Sequence, residues 1–335
     1  MRDRSKLTRS NLKQTRRKSM LSVVADIGGT NIRLAVLTLA TGEMSQVEEY
    51  PCATFSSLEA AFVQYFTSLT EPVSHLCIGI ACPVEDDFVK MTNNNWEFSK
   101  TALKDKLSLT TLYVINDYTA ISLAVPYVDD KDKIQIGGGK EIENGVKAIF
   151  GPGTGLGVSH LIKQDEKWIS LDGEGGHASF APNTSQQADV FLLLQEQFGH
   201  VSAERLLSGQ GLVNIYNALC RIASKSTVYA QPSEISKAAL ANECEIALQA
   251  LNLFCQAMGG FAGNLALNLQ CGGGVYIAGG IVPRFVEFFE NSEFREFFEA
   301  KGRLKSYLQT VPTYLITHSN PGLLGASVYL RQELA

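Results

Sequence analysis

Apolar residues in this chain arrive in short runs that end in glycine or proline, and between the runs the hydrophobic spacing changes to the helical repeat. Residues 21–39 read strand, glycine turn, strand, which predicts a hairpin and not the strand-to-helix step of a Rossmann or Walker loop. Residues 55–69 carry apolar positions at helical spacing behind a Ser56/Ser57 cap, with Glu59 in the first turn. A buried strand is predicted over 75–84, stopped by Pro83, and a short capped helix over 99–107. The β-branched and aromatic run 111–115 is a strand that delivers Asn116-Asp117 at its carboxyl end, the place where ligands collect in open α/β sheets. A helix over 118–125 stops at Pro126, and the acidic and glycine-rich stretch 129–139 reads as a surface connection and domain boundary.

The opening pattern then returns. Residues 146–150 are a strand, 151–157 a glycine turn bearing one threonine, and 158–163 a strand again. Two such hairpins, each heading a domain-sized block, predict an internally duplicated protein whose halves grip one ligand. A strand over 168–171 leads into Gly173-Glu174-Gly175-Gly176-His177. Helices are predicted over 189–198, 203–207, 212–223, 232–240 and 243–269, strands within 273–283 and over 314–317, and a terminal helix over 323–330. Residues 246–278 contain no charge, but recurring Asn and Gln and the Gly272-Gly273-Gly274 run argue for a buried helix and strand, not a membrane span.

Bulk properties narrow the picture. At 335 residues the chain exceeds the size of a single core, and 45% hydrophobic with 19% charged residues is an ordinary globular balance. The net charge of −5 hides an asymmetry: residues 1–20 carry eight basic side chains and one acid, leaving the remainder strongly acidic. A nucleic-acid-binding body is disfavoured, and the tail reads as a disordered extension. The seven cysteines are scattered without a C-x-x-C pair, as in a reduced cytoplasmic protein.

Candidate chemistry centres on Ala25-Asp26-Ile27-Gly28-Gly29-Thr30. Paired glycines let backbone N–H groups and the Thr30 hydroxyl converge on an anion, and a carboxylate tolerates a phosphate when a divalent cation lies between them. This suggests a nucleotide-Mg²⁺ site. No G-x-x-x-x-G-K-[ST] exists in the chain, and the second turn is not G-x-G-x-x-G. Glu174 and His177 suit acid/base work or hydrogen bonds to a polar ligand better than a metal, and the amides of Met91-Thr92-Asn93-Asn94-Asn95-Trp96 suit hydroxyl recognition.

The stretches ADIGGTN, ACPV, MTNNNW, INDYTA, GPGTGLG, GEGGH, HVSAERLLSG, AGGIVPRF and NPGLLG, in that order, give residues 21–335 a close resemblance to the bacterial glucokinases of the sugar kinase/Hsp70/actin superfamily. The chain lacks the cysteine cluster that follows the GH motif in the repressor-type (ROK) sugar kinases. The resemblance implies an actin-like, ribonuclease H-like duplicated α/β fold around a ligand cleft, with a small domain of 21–127 plus 318–335 and a large one of 128–317. It implies ATP held by Ala25, Asp26, Ile27, Gly28, Gly29, Thr30, Gly153, Thr154, Gly155, Gly279 and Gly280, with Asp26 acting on Mg²⁺ indirectly. Glucose would meet Asn93, Asn94, Asn116, Asp117, Glu174, His177 and Glu204, and Asp117 would be the general base. A homodimer without nucleic-acid or membrane partners is implied as well. The alternatives are a kinase for another hexose and an actin-like ATPase module without a sugar substrate.

Overall fold

The computed structural model describes residues 20–91 and 94–335. The basic tail up to residue 19 and the candidate ligand Asn93 lie outside the described residues.

Two sheets organise the chain. The first begins with β1 (Leu21–Ile27), β2 (Asn31–Leu37), β3 (Met44–Pro51) and β4 (Val73–Ile80). A small hairpin of β5 (Phe88–Lys90) and β6 (Glu97–Ser99) stands apart, and β7 (Thr111–Asn116) completes the sheet in the order β3-β2-β1-β4-β7. β1 pairs antiparallel with β2 and parallel with β4, which pairs parallel with β7. The second sheet contains β8 (Lys133–Gln135), β9 (Lys147–Pro152), β10 (Leu156–Gln164), β11 (Lys167–Gly173), β12 (Val275–Ile277) and β13 (Thr313–Ile316), ordered β11-β10-β9-β12-β13-β8. Without its edge strand β8, this order and its sense of pairing repeat the first sheet, so the duplication read from the two hairpins is a property of the fold.

Helix starts follow capping chemistry. Ser57 accepts the Ala60 N–H at the start of α1 (Leu58–Ser68), Ser99 the Ala102 N–H at α2 (Lys100–Lys106), and Asn116 the Tyr118 N–H at α3 (Asp117–Ala124). Thr184 and Ser208 do the same for α4 (Ser185–Phe198) and α5 (Gly209–Ile222). After α6 (Pro232–Leu240), the long α7 (Glu245–Asn268) is buried almost all round beside the second sheet. Its polar residues are matched: the Gln256 amide takes a bond from Gln187 and gives one to Glu293. No helix among the described residues is long and apolar enough to cross a membrane. Short helices α8 (Val286–Glu290), α9 (Phe294–Glu299) and α10 (Lys305–Thr310) close that layer, and α11 (Pro321–Leu334) returns to pack on α3, β1 and β4 of the first sheet.

The expected surface connection at 129–139 contains β8, which adds to β13 at the sheet edge. The second turn is tighter than 151–157, because β9 runs through Pro152 and β10 starts at Leu156. The helix expected at 203–207 is a single 3-10 turn, Ala203–Arg205.

Candidate active site

The site is built at the carboxyl ends of the parallel strands. In β1, strand alternation sends Val23, Ala25 and Ile27 into one core and Val24 into the layer that holds Ala120 and Leu323. Asp26 shares the face of Val24 and meets the first turn of α11. The residue there is Gly322, where a Cβ would lie 2.5 Å from the Asp26 carboxyl carbon. A glycine is therefore required for the carboxylate to sit against the positive end of this helix. Arg33 faces Asp26 across the hairpin at 3.6 Å, and its guanidinium is forked onto Glu49 at 3.1 and 3.2 Å. Burial raises the Asp26 carboxyl to about 6, against the pull of Arg33, and the charge of Asp117 adds to the rise.

Residues 28–30 form the turn itself. Gly28 N donates to Asn31 O at 3.0 Å, Cys52 N donates to Thr30 O at 2.7 Å, and Thr30 is exposed. Ala25 and Ile27 are fully buried strand residues, so only their backbones are open to a ligand at this turn.

The second turn, 153–155, is fastened from below. Gly153 N donates to Gly155 O and Gly209 N to Gly153 O, at 2.8 and 2.9 Å. Glu204 accepts the Leu156 N–H at 2.9 Å, so one of the candidate sugar ligands is also a strut of this turn. Thr154 is exposed at the tip. Ala278 N bonds Phe150 O, which brings Gly279 and Gly280 alongside the end of β9. Gly279 has φ +100°, a conformation that L side chains rarely adopt, and Gly280 borders open space.

The Asn116-Asp117 pair sits where β7 becomes α3. Asn116 Oδ1 accepts the Tyr118 N–H at 2.8 Å and its Nδ2 donates to Cys82 O at 3.3 Å, so its first task is to cap the helix. Asp117 Oδ1 accepts the same N–H at 2.9 Å. Burial pushes the Asp117 carboxyl above its ordinary value, opposed by that N–H and reinforced by the charge of Glu174. Glu174 and His177 form an exposed pair at 3.9 Å on either side of a 3-10 turn, Gly175–His177. Asn94 Oδ1 accepts the Trp96 N–H at 2.8 Å, while its buried Nδ2 has no partner among the described residues.

The structure thus brings Asp117 within electrostatic reach of both Asp26 and Glu174 and ties Glu204 to the second turn. Sequence reasoning missed Gly322 and Tyr118. The first stands in NPGLLG and the second in INDYTA, but nothing local signals that one must admit a carboxylate or that the other reaches the second sheet. Among the described residues no cluster of three or more His, Cys, Asp or Glu is arranged to hold a metal ion.

The Glucokinase family model matches residues 23–333. A glucokinase of Yersinia enterocolitica is 50% identical over 313 residues, covering 93% of this chain and 97% of that one. Among solved structures, a glucokinase from an Antarctic psychrotroph superposes with a TM-score of 0.86 at 35% identity, covering 93% of this chain and 99% of that one. A ROK-family glucokinase from Streptomyces griseus, in complex with glucose and AMPPNP, shares the fold at a TM-score of 0.61 and 18% identity, covering 93% of this chain and 99% of that one.

Proposed function

The chain belongs to the glucokinase family, and from that premise we propose how its residues divide the work of an ATP:D-glucose 6-phosphotransferase (EC 2.7.1.2). The observation that carries the assignment is the position of Asp117 at a strand end, within reach of the charges of both Asp26 and Glu174, in a fold with two duplicated glycine turns. Asp117 is the general base. Its raised carboxyl is better matched to accepting a proton near neutral pH than an ordinary aspartate, and its fixed bond to Tyr118 N leaves the other oxygen for the glucose 6-hydroxyl.

Gly28, Gly29 and Thr30 on one side and Gly153, Thr154 and Gly155 on the other hold the ATP phosphates, with Gly279 and Gly280 beside the adenosine. Asp26 fits a nucleotide-bound Mg²⁺: it is a half-buried carboxylate whose ionised form burial disfavours, and an adjacent cation would restore it. When bound, that ion would offset charge on the transferring phosphoryl group. Asn94, Asn116, Glu174, His177 and Glu204 hold the sugar. The unpartnered Asn94 amide and the exposed Glu174–His177 pair supply a donor and acceptors suited to hydroxyls. Residues 21–127 with 318–335, and 128–317, would act as the two domains around the cleft, in a cytoplasmic homodimer.

Asp117→Asn tests the reading. Turnover should fall by about 10² to 10⁴, with glucose affinity by calorimetry nearly unchanged. A variant retaining more than roughly a tenth of the wild-type kcat contradicts the base assignment.

A further inference from the structure

Tyr118 follows the proposed base directly and crosses to the other sheet. Its ring lies between Gly151 of β9 and Gly157 of β10, the two strands that carry the second glycine turn. A Cβ built on Gly157 would stand 2.0 Å from Tyr118 Cδ2, and one built on Gly151 would stand 2.2 Å from Tyr118 Oη. Both strands are stripped to hydrogen where the ring sits. The same Gly151 Cβ would be 2.0 Å from Ala278 O, so the tyrosine hydroxyl and the carbonyl just before Gly279 are neighbours across that glycine.

At its other end Tyr118 is attached to the base, since its backbone N–H donates to Asp117 Oδ1 and Asn116 Oδ1. A shift of the Tyr118 backbone that accommodates the ring would therefore move the group that the carboxylate is bonded to. The hydroxyl is buried and has no hydrogen-bond partner among the described residues. Leaving such a donor unmade is unfavourable, and a phenylalanine would avoid that while filling the same space.

We propose that Tyr118 is a positioning residue for phosphoryl transfer: its ring couples the second phosphate turn to the Asp117 carboxylate, and its hydroxyl finds its acceptor when ATP and glucose are both bound. The Ala278 carbonyl, next to the proposed adenosine glycines, is a neighbouring acceptor. This inference rests on the assignment of Asp117 as the base. The phosphate turn and the base are thereby set against each other by one side chain and not by the alignment of two separate domains.

The test compares Tyr118→Phe, Tyr118→Leu and Gly157→Ala in steady-state kinetics with ATP and glucose. Calorimetric glucose titration reports the binding-competent fraction of each. Tyr118→Phe should lose about tenfold in kcat with the glucose KM held within about twofold, and its melting temperature should not fall. Tyr118→Leu should lose about a hundredfold, the cost of a misplaced base. Gly157→Ala should also be slow, because the added methyl meets the tyrosine ring.

Wild-type kcat in Tyr118→Phe overturns the proposal, as do losses in the Tyr118 variants that track only the binding-competent fraction. Asp117→Asn assayed in parallel separates the two readings. An inactive Asp117→Asn with an unimpaired Tyr118→Phe removes the positioning role alone, whereas an active Asp117→Asn removes the base.

Discussion

Removing the charge of Asp26 should make the protein more stable and abolish its activity. The carboxyl titrates at about 6 in the folded protein against 3.8 as its ordinary value, with burial as the leading cause. The folded state therefore holds the proton more tightly than the unfolded chain. For a raised carboxylate the sign is destabilising above the folded pKa: the penalty is absent below 3.8, grows as pH rises from there to about 6, and is fully developed beyond. The gap corresponds to about 3 kcal/mol at pH 8, and to roughly half of that at pH 5.

Asn is nearly the same shape and carries no charge, and Arg33 retains its fork to Glu49. Asp26→Asn should thus gain about 3 kcal/mol over wild type at pH 8 and little at pH 4. The measurement is urea unfolding of ligand-free protein in EDTA across that range, read by both far-UV circular dichroism and tryptophan fluorescence. A variant less stable than wild type at pH 8, or a gain that does not change with pH, would refute the reasoning. The stabilised variant should nevertheless turn over at least about a hundredfold more slowly, since the role proposed for Asp26 toward the nucleotide requires its charge.

Two further substitutions separate structural from chemical duties. Asn116→Ala removes the α3 cap and should cost about 1 kcal/mol in urea unfolding, whereas Asn116→Asp keeps the cap but sets a second carboxylate beside Asp117. The acidic limb of kcat/KM should then move to higher pH, and an unmoved limb would mean that position 116 does not act on the base. Glu204→Gln can still accept the Leu156 N–H, so the ATP KM should change by less than about threefold while the glucose KM rises roughly tenfold or more. An equal rise in both would assign Glu204 to the turn alone.

The parts of the fold that announced themselves in the sequence are those with a strong local signal. The Gly28-Gly29 and Gly153-Gly155 turns stand between apolar runs that can only be strands, and Ser57 and Ser99 mark helix starts by capping chemistry. β3 escaped notice because its residues are mostly exposed, leaving no hydrophobic alternation to read. β8 is three residues long, and α8 to α10 are too short to establish a period. Of the site, Asp26, Asp117 and the Glu174–His177 pair were legible as residue types in glycine-rich or strand-end settings. The bond of Glu204 to the second turn and the reach of Tyr118 depend on contacts between segments distant in sequence, and no local pattern encodes those.

The placement of α11 bears on how the molecule is made. This helix packs against β1 and β4 and seats Gly322 on Asp26, yet it leaves the ribosome only after the whole second sheet has been translated. The contiguous second unit can bury its core during synthesis, while the first must wait with an uncovered sheet face. The surroundings of Asp26 are consequently the last feature assembled, and a nascent chain stalled before residue 321 would have its second glycine turn but an unfinished first one.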